Sequence, residues 1–207
     1  MKQQGLLIFF ILAFFHVNAQ KVSKKELQAG TISTVKINAN NSFRIYVETA
    51  AVSTISVKTL MEGENSEQLV LSNQTKNDTL FVSTAYQPLF KAKDDKLSAH
   101  KVISIEYHII LPKGLNLNIA SDIGSVYLKG EYEHVFTELL SGHFSATEFT
   151  GSAVVNTIQG DITVVSNYAT VNAHTKHGKV KLDKLELGAN TLLLNSINGD
   201  IHITKKQ

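Results

Sequence analysis

The sequence predicts an all-β protein: an N-terminal sandwich-like β region, then a β-solenoid-like array of about five rungs with an 18-residue period. Three observations predict it. From Thr31 onwards, short runs rich in β-branched residues alternate in polarity and are separated by polar turns. The chain has only two prolines and no tryptophan, and almost no helical periodicity. In its second half, Gly124, Gly142, Gly160, Gly178 and Gly199 stand 18, 18, 18 and 21 residues apart.

Taken in order, residues 1–19 read as a cleaved signal peptide. Lys2 gives a charged start, Gly5 to Phe15 is an unbroken apolar run, and Val17 and Ala19 suit the cleavage pockets before Gln20. That run is eleven residues long, about half of what a helix needs to span hydrocarbon. Residues 20–113 read as the N-terminal β region. It holds Thr34–Asn38, Phe43–Val47 and Ile55–Lys58 as strands. Leu69–Leu71 and Leu80–Val82 form a hairpin around a long polar loop, and Gln87 to Ala99 is an exposed loop. Val102 to Leu111 closes the region before Pro112-Lys113-Gly114. Residues 114–207 are the repeat region, separate from the first or continuous with it.

Alignment on the five glycines exposes the logic of the repeat. Two residues after each stand Val126, Phe144, Ile162, Val180 and Ile201; four after stand Leu128, Ala146, Val164, Leu182 and Ile203. The residues between are polar, apart from Tyr127. Before the glycine the parity switches: apolar or small residues lie seven, five and three places upstream, the last mostly hydroxyls (Ser121, Thr157, Thr175, Ser196). Strand side chains alternate between faces, so the chain turns a corner at each glycine, which tolerates positive φ. A fixed period of this kind marks stacked rungs, the alternative being an evenly spaced sandwich. The three extra residues of the last interval, around Leu185–Ala189, are expected in a loop between rungs.

Leu111-Pro112-Lys113-Gly114, Ile123-Gly124-Ser125-Val126, Gln159-Gly160-Asp161-Ile162 and Asn198-Gly199-Asp200-Ile201 resemble the bacterial β-strand-repeat family known as "putative adhesins", over residues 30 to 203. The resemblance implies the repeat fold and an envelope role, and it brings no catalytic residues. His143 and Lys179 stand where that pattern has Asp.

Chemistry is sparse. There is no cysteine, so neither lipid attachment through a first Cys nor a thiolate nucleophile is open to this chain. Formal charge falls from +2 to +1 when Lys2 leaves with the signal, and Arg44 is the sole arginine; that balance argues against nucleic acid. Gly-Asp repeats suggest calcium, but the β-roll site needs a nine-residue period with paired glycines. His174 and His177 lie three apart and so face opposite sides of a strand. No metal, cofactor or catalytic residue is expected. Glu131 with Glu133, and Asp94 with Asp95, are not tied to any cleft.

The expected function is an exported, non-enzymatic binding or structural module of the cell envelope. It would engage a protein or glycan and be periplasmic sooner than surface-exposed or secreted, with no stable membrane insertion after signal cleavage. A carbohydrate-active β-helix enzyme is the alternative. The candidate binding face is the outward ladder one and three places after the corners: His143, Lys179, Lys181, Asp200 and His202, suited to anions or acidic glycans. The open end is expected at Ile201 to Thr204. Oligomeric state is not legible.

Overall fold

The computed structural model describes residues 20–91 and 103–206; the expected signal segment and most of the 87–99 loop lie outside them. The described residues are strands almost throughout. In chain order these are β1 (Lys21–Gln28), β2 (Thr34–Asn38), β3 (Arg44–Ala50), β4 (Thr54–Gly63), β5 (Leu69–Lys76), β6 (Thr79–Tyr86), β7 (Ile103–Pro112) and β8 (Asn116–Ser121). They continue as β9 (Ser125–Ser141), β10 (Phe144–Gln159), β11 (Ile162–Ser166), β12 (Tyr168–Thr175), β13 (Val180–Leu182), β14 (Glu186–Asn198) and β15 (Ile201–Lys205). Among the described residues no helix is long and apolar enough to cross a membrane.

The strands form one branched sheet that nearly closes on itself. Its first arm runs β1-β4-β7-β3-β9-β10-β11-β15-β13. The second arm runs β5-β6-β2-β8 into the same β9 and β10, then β14 and β12. β9 and β10 serve both arms because each bends midway. Val126 of β9 pairs with Ile45 of β3 in the first arm, and Val135 with Leu117 of β8 in the second. Gly130 and Gly151 stand at these bends with φ of 107° and 139°, values that only glycine takes without strain. At the sheet's two ends β1 lies beside β5, and β12 beside β13. One core fills the space between the arms, from Val35 and Ile45 to Leu194 and Ile203.

The parity expected at the corners is present. Val126, Leu128, Phe144, Ala146, Ile162, Val164, Ile201 and Ile203 are all buried, as are Leu117, Val135, Ala153 and Leu192 before the glycines. The Gly178 unit is the exception: Val180 and Leu182 are 45% and 50% exposed, and Val171 is only partly buried. Pairing is parallel, with Phe144 opposite both Val126 and Ile162.

The corners differ from expectation in their physics. Positive φ is not their common property: Gly142 and Gly160 have φ of 149° and 158°, and the other three are not positive. The common property is close approach. A Cβ built on Gly124 would strike the Ser42 carbonyl, on Gly142 that of Gly124, on Gly160 that of Gly142, on Gly199 that of Gly160, and on Gly178 that of Gly199. The glycines stack against one another's backbone, and the missing side chain is what permits it.

That series also gives the order in space: Gly124, Gly142, Gly160, Gly199, Gly178. The last two units exchange places relative to the sequence. β15 is inserted between β11 and β13, and β14 between β10 and β12. The expected open end at Ile201 to Thr204 is therefore incorrect, since β15 is paired on both sides. Among the described residues, the free edges at this end of the sheet are β13 and β12. The extra residues near Leu187–Ala189 lie in a register shift within the β12–β14 pairing, where Tyr168 meets Glu186 and Ala169 meets Asn190, and not in a connecting loop.

Strands before Pro112 enter the same arrangement. β2 pairs in parallel with β8, and β3 with β9. Between β2 and β3 lies a corner without glycine, where Asn41 takes φ 61°, a left-handed conformation that Asn tolerates better than most residues. The expected long loop of the hairpin is instead strand: β5 and β6 pair antiparallel down to Lys76 and Thr79, leaving a tight Asn77-Asp78 turn with φ 55° at Asn77. Two buried tyrosines tie the layers together. Tyr107 donates to Thr84 Oγ1 at 3.2 Å, and Tyr132 to the carbonyl of Val47 at 2.8 Å. Burial pushes the Tyr107 phenol up to about 12, partly offset by the Thr84 hydrogen bond; burial raises Tyr132 as well.

Candidate functional site

The residues one place after each corner form a ladder, and the ladder is structural. His143 N donates to Ser125 Oγ at 3.1 Å, Asp161 N to His143 Nδ1 at 3.1 Å, Asp200 N to Asp161 Oδ1 at 2.8 Å, and Lys179 N to Asp200 Oδ1 at 2.8 Å. Each side chain thus accepts the backbone N–H that the next corner would leave without a partner. Ser, His and Asp can all accept; lysine cannot, and Lys179 stands at the final position, where nothing follows. The hydroxyl column three places upstream works from the inside. Thr157 donates to the Gly142 carbonyl, Ser196 to that of Gly160 at 3.1 Å, and Thr175 to that of Gly199 at 2.8 Å.

The expected binding face is therefore divided. His143 and Asp200 serve the ladder, and Asp161 and Asp200 stand between His143 and the lysines. Lys181 and His202 are neighbours across β13 and β15, and with Lys179 they are exposed at the end of the first arm. Among the described residues no three His, Asp or Glu side chains are grouped to hold a metal ion. Nearby on the same outer face, Tyr46 stacks between His108 and Tyr127, with ring centroids 5.0 and 4.9 Å apart. The rings cover one another's faces, so the stack presents mainly edges to a ligand.

A second surface is built on the outer side of the second arm. Two places before the corners, in spatial order, stand Asp122, Leu140, Ile158, Ile197 and Lys176. Leu140 is 56% exposed, and Ile158 and Ile197 are 41% and 42%. Four places before the corners, Asn156 and Asn195 run alongside, joined by an Asn195 Nδ2 to Asn156 Oδ1 hydrogen bond of 2.9 Å. Together these columns line a shallow groove of about 720 Å³. His174 and Lys176 lie at its basic end, Asp122 and Glu138 at its acidic end. Asp122 is already engaged, its Oδ1 accepting from the backbone of Asn41 at 2.7 Å and Ile123 at 2.9 Å. Contiguous exposed aliphatic side chains of this kind mark an interaction surface.

Sequence reasoning missed this groove, although a signal was present. Leu140, Ile158 and Ile197 occupy positions whose strand parity points to solvent, where polar residues are the default. Reading only the inward columns passed over them.

No family model and no curated protein matches the chain. Solved structures resemble it to different degrees. One, named as a "putative cell adhesion protein" from Clostridium sporogenes, superposes with a TM-score of 0.62 over 90% of this chain and 100% of its own, at 15% identity. A "putative adhesin" from Bacteroides fragilis gives a TM-score of 0.39 at 12% identity, covering 90% of this chain and 99% of its own. Another from Parabacteroides distasonis gives 0.33 at 9%, covering 90% and 98%. The Clostridium structure establishes likeness of fold alone; nothing rests on the other two.

Proposed function

We propose that this chain is an exported, non-enzymatic binding module of the cell envelope, adhesin-like and periplasmic, whose parallel units act as one solenoid-like recognition scaffold. The observation that carries the reading is the row Leu140, Ile158 and Ile197, three large aliphatics side by side on the solvent side of the sheet. Beside the Asn156–Asn195 amides they offer an apolar floor with a polar rail, the composition of a protein recognition surface. The floor is aliphatic and lacks the stacking platform that a sugar ring favours, so a protein partner is preferred over a glycan. The name of the Clostridium structure with this fold accords with such a role.

The test compares two variants of the chain spanning residues 20–207, screened against envelope proteins and a glycan array. Leu140→Ser with Ile197→Ser is expected to weaken the partner at least tenfold without changing the melting temperature. Lys179→Ser, Lys181→Ser and His202→Ser together are expected to leave both unchanged. The reverse pattern would move recognition to the lysine face, and glycan hydrolysis by the purified chain would overturn the non-enzymatic reading.

A further inference from the structure

Among the described residues, nothing covers the unit that ends the stack in space, β12 with β13. Val180 and Leu182 hold the inward positions that bury Ile201 and Ile203 completely in the adjacent strand, yet about half of each is exposed. Leu187 and Tyr168, close by, are exposed as well. Repeat arrays normally close with a polar terminal unit; here that unit is rich in lysine on its outward side and yet keeps aliphatics at its uncovered inward positions.

The backbone of β13 is open on the same side. The Lys179 carbonyl accepts from Ile201, and Asp183 N–H donates to Ile203, so those residues direct their backbone groups towards β15. Alternation along the strand directs the N–H and C=O groups of Val180 and Leu182 away from β15, along the free edge. The acceptor ladder of the corners also ends here, at a side chain that only donates. Lys179 and Lys181 therefore flank an unpaired strand edge whose inward positions are aliphatic.

We propose that the free edge of β13 is a docking site for an extended acidic strand of another protein. The strand adds alongside β13, its aliphatic residues covering Val180 and Leu182 and its carboxylates meeting Lys179 and Lys181. Strand addition of this kind draws affinity from main-chain hydrogen bonds and specificity from alternate side chains. A second copy of this chain does not fit. Its own edges are β1, with Lys21, Lys24 and Lys25, and β5, β12 and β13, which carry no carboxylate. The single acid among them, Glu26, is already paired with Lys24 at 3.0 Å. Contact of β13 with β13 or β1 of another copy sets lysine against lysine, and β5 and β12 offer no carboxylate to Lys179 and Lys181, so an acidic strand is the better match.

The site is separate from the Leu140–Ile197 groove, and its test does not depend on that surface. The probes are two labelled eight-residue peptides, one alternating Val and Glu, the other Val and Lys, titrated by fluorescence anisotropy against the chain spanning residues 20–207. The Glu peptide is expected to bind, to weaken at high salt, and to slow hydrogen exchange at the Val180 and Leu182 amides. Lys179→Glu with Lys181→Glu, both exposed and tolerant of change, is expected to weaken that peptide at least tenfold and to gain the Lys peptide, with melting unchanged. Leu140→Ser with Ile197→Ser leaves the binding as it was. Four results would each overturn the proposal: no binding of the Glu peptide, binding indifferent to the charge swap, protection confined to the groove, or self-association through this end in ultracentrifugation.

Discussion

Replacing Gly199 by alanine tests whether the corners depend on close approach or on backbone conformation, because its φ is not positive. The new Cβ would overlap the Gly160 carbonyl and crowd the Asp161 amide 3.0 Å away. Both are main-chain atoms of a strand fixed on each side, so the neighbour cannot rotate away. Relief requires the two units to separate locally, which strains the Gly160 N–H bond to the Asn198 carbonyl, now 3.0 Å. Overpacking of this sort costs about 1–3 kcal/mol, and a weakened hydrogen bond adds about 1 kcal/mol. The expected loss is therefore about 2–4 kcal/mol, or roughly 5–15 °C in melting temperature for a chain of this size. Gly114→Ala is the control. Gly114 has φ 76° with nothing within 4 Å of its Cβ position, so it isolates backbone strain at about 1–2 kcal/mol. Urea denaturation of both variants, followed by circular dichroism, measures the difference. A Gly199→Ala protein within about 0.5 kcal/mol of the parent, a shift too small for any such clash, would refute the close-approach argument.

Three further outcomes follow from the same geometry. Thr137 is fully buried between Ile119 and Val155 in its column, and its hydroxyl has no hydrogen-bond partner; Thr137→Val is expected to raise stability by about 1 kcal/mol in urea melts. Asp161→Ala removes the acceptor for the Asp200 amide and is expected to cost about 0.5–1.5 kcal/mol, whereas Asp161→Asn keeps an acceptor and should be nearly silent. In alkaline titration followed at 295 nm, Tyr107 and Tyr132 should ionise after the other tyrosines. Because the folded Tyr107 value, about 12, lies above the unfolded value near 10, its stabilising effect is complete below about pH 10 and is lost as pH rises towards 12. Tyr107→Phe should flatten that loss.

The inward columns were legible because burial constrains them. Each of Val126, Phe144, Ile162 and Ile201 must be apolar wherever it falls in the stack, so alignment on the glycines finds them. The order of the stack leaves a weaker trace. Gly178 and Gly199 head units with the same pattern, and either could follow Gly160. The clue was polarity: Lys176, His177, Lys179, Lys181 and Lys184 load one unit with charge, which suits an end position and not an interior one. The corner at Asn40–Ser42 escaped detection because asparagine does there what glycine does elsewhere. Its extra residue also breaks the alignment: Ala39 matches Ser121, but Arg44 pairs with Ser125. The ladder role of His143, Asp161 and Asp200 was hidden for a different reason. Outward parity says that a side chain is wet, and does not say that it reaches sideways to the neighbouring backbone. The candidate groove needed the opposite inference, that an aliphatic in a wet position has some reason to be there.

The exchange of the last two units bears on how the molecule is assembled. Among the described residues, strands β12 and β13 have no partner strand that precedes them; both are paired only through β14 and β15, which come later in the sequence. A chain interrupted after Leu182 would hold two strands with nothing to pair against and would leave Val155 and Ile162 beside an empty position. Residues 186–205 lie between neighbours on either side, and β12 and β13 are paired only once those residues are in place. The array cannot grow to its full length one unit at a time from the N-terminal end.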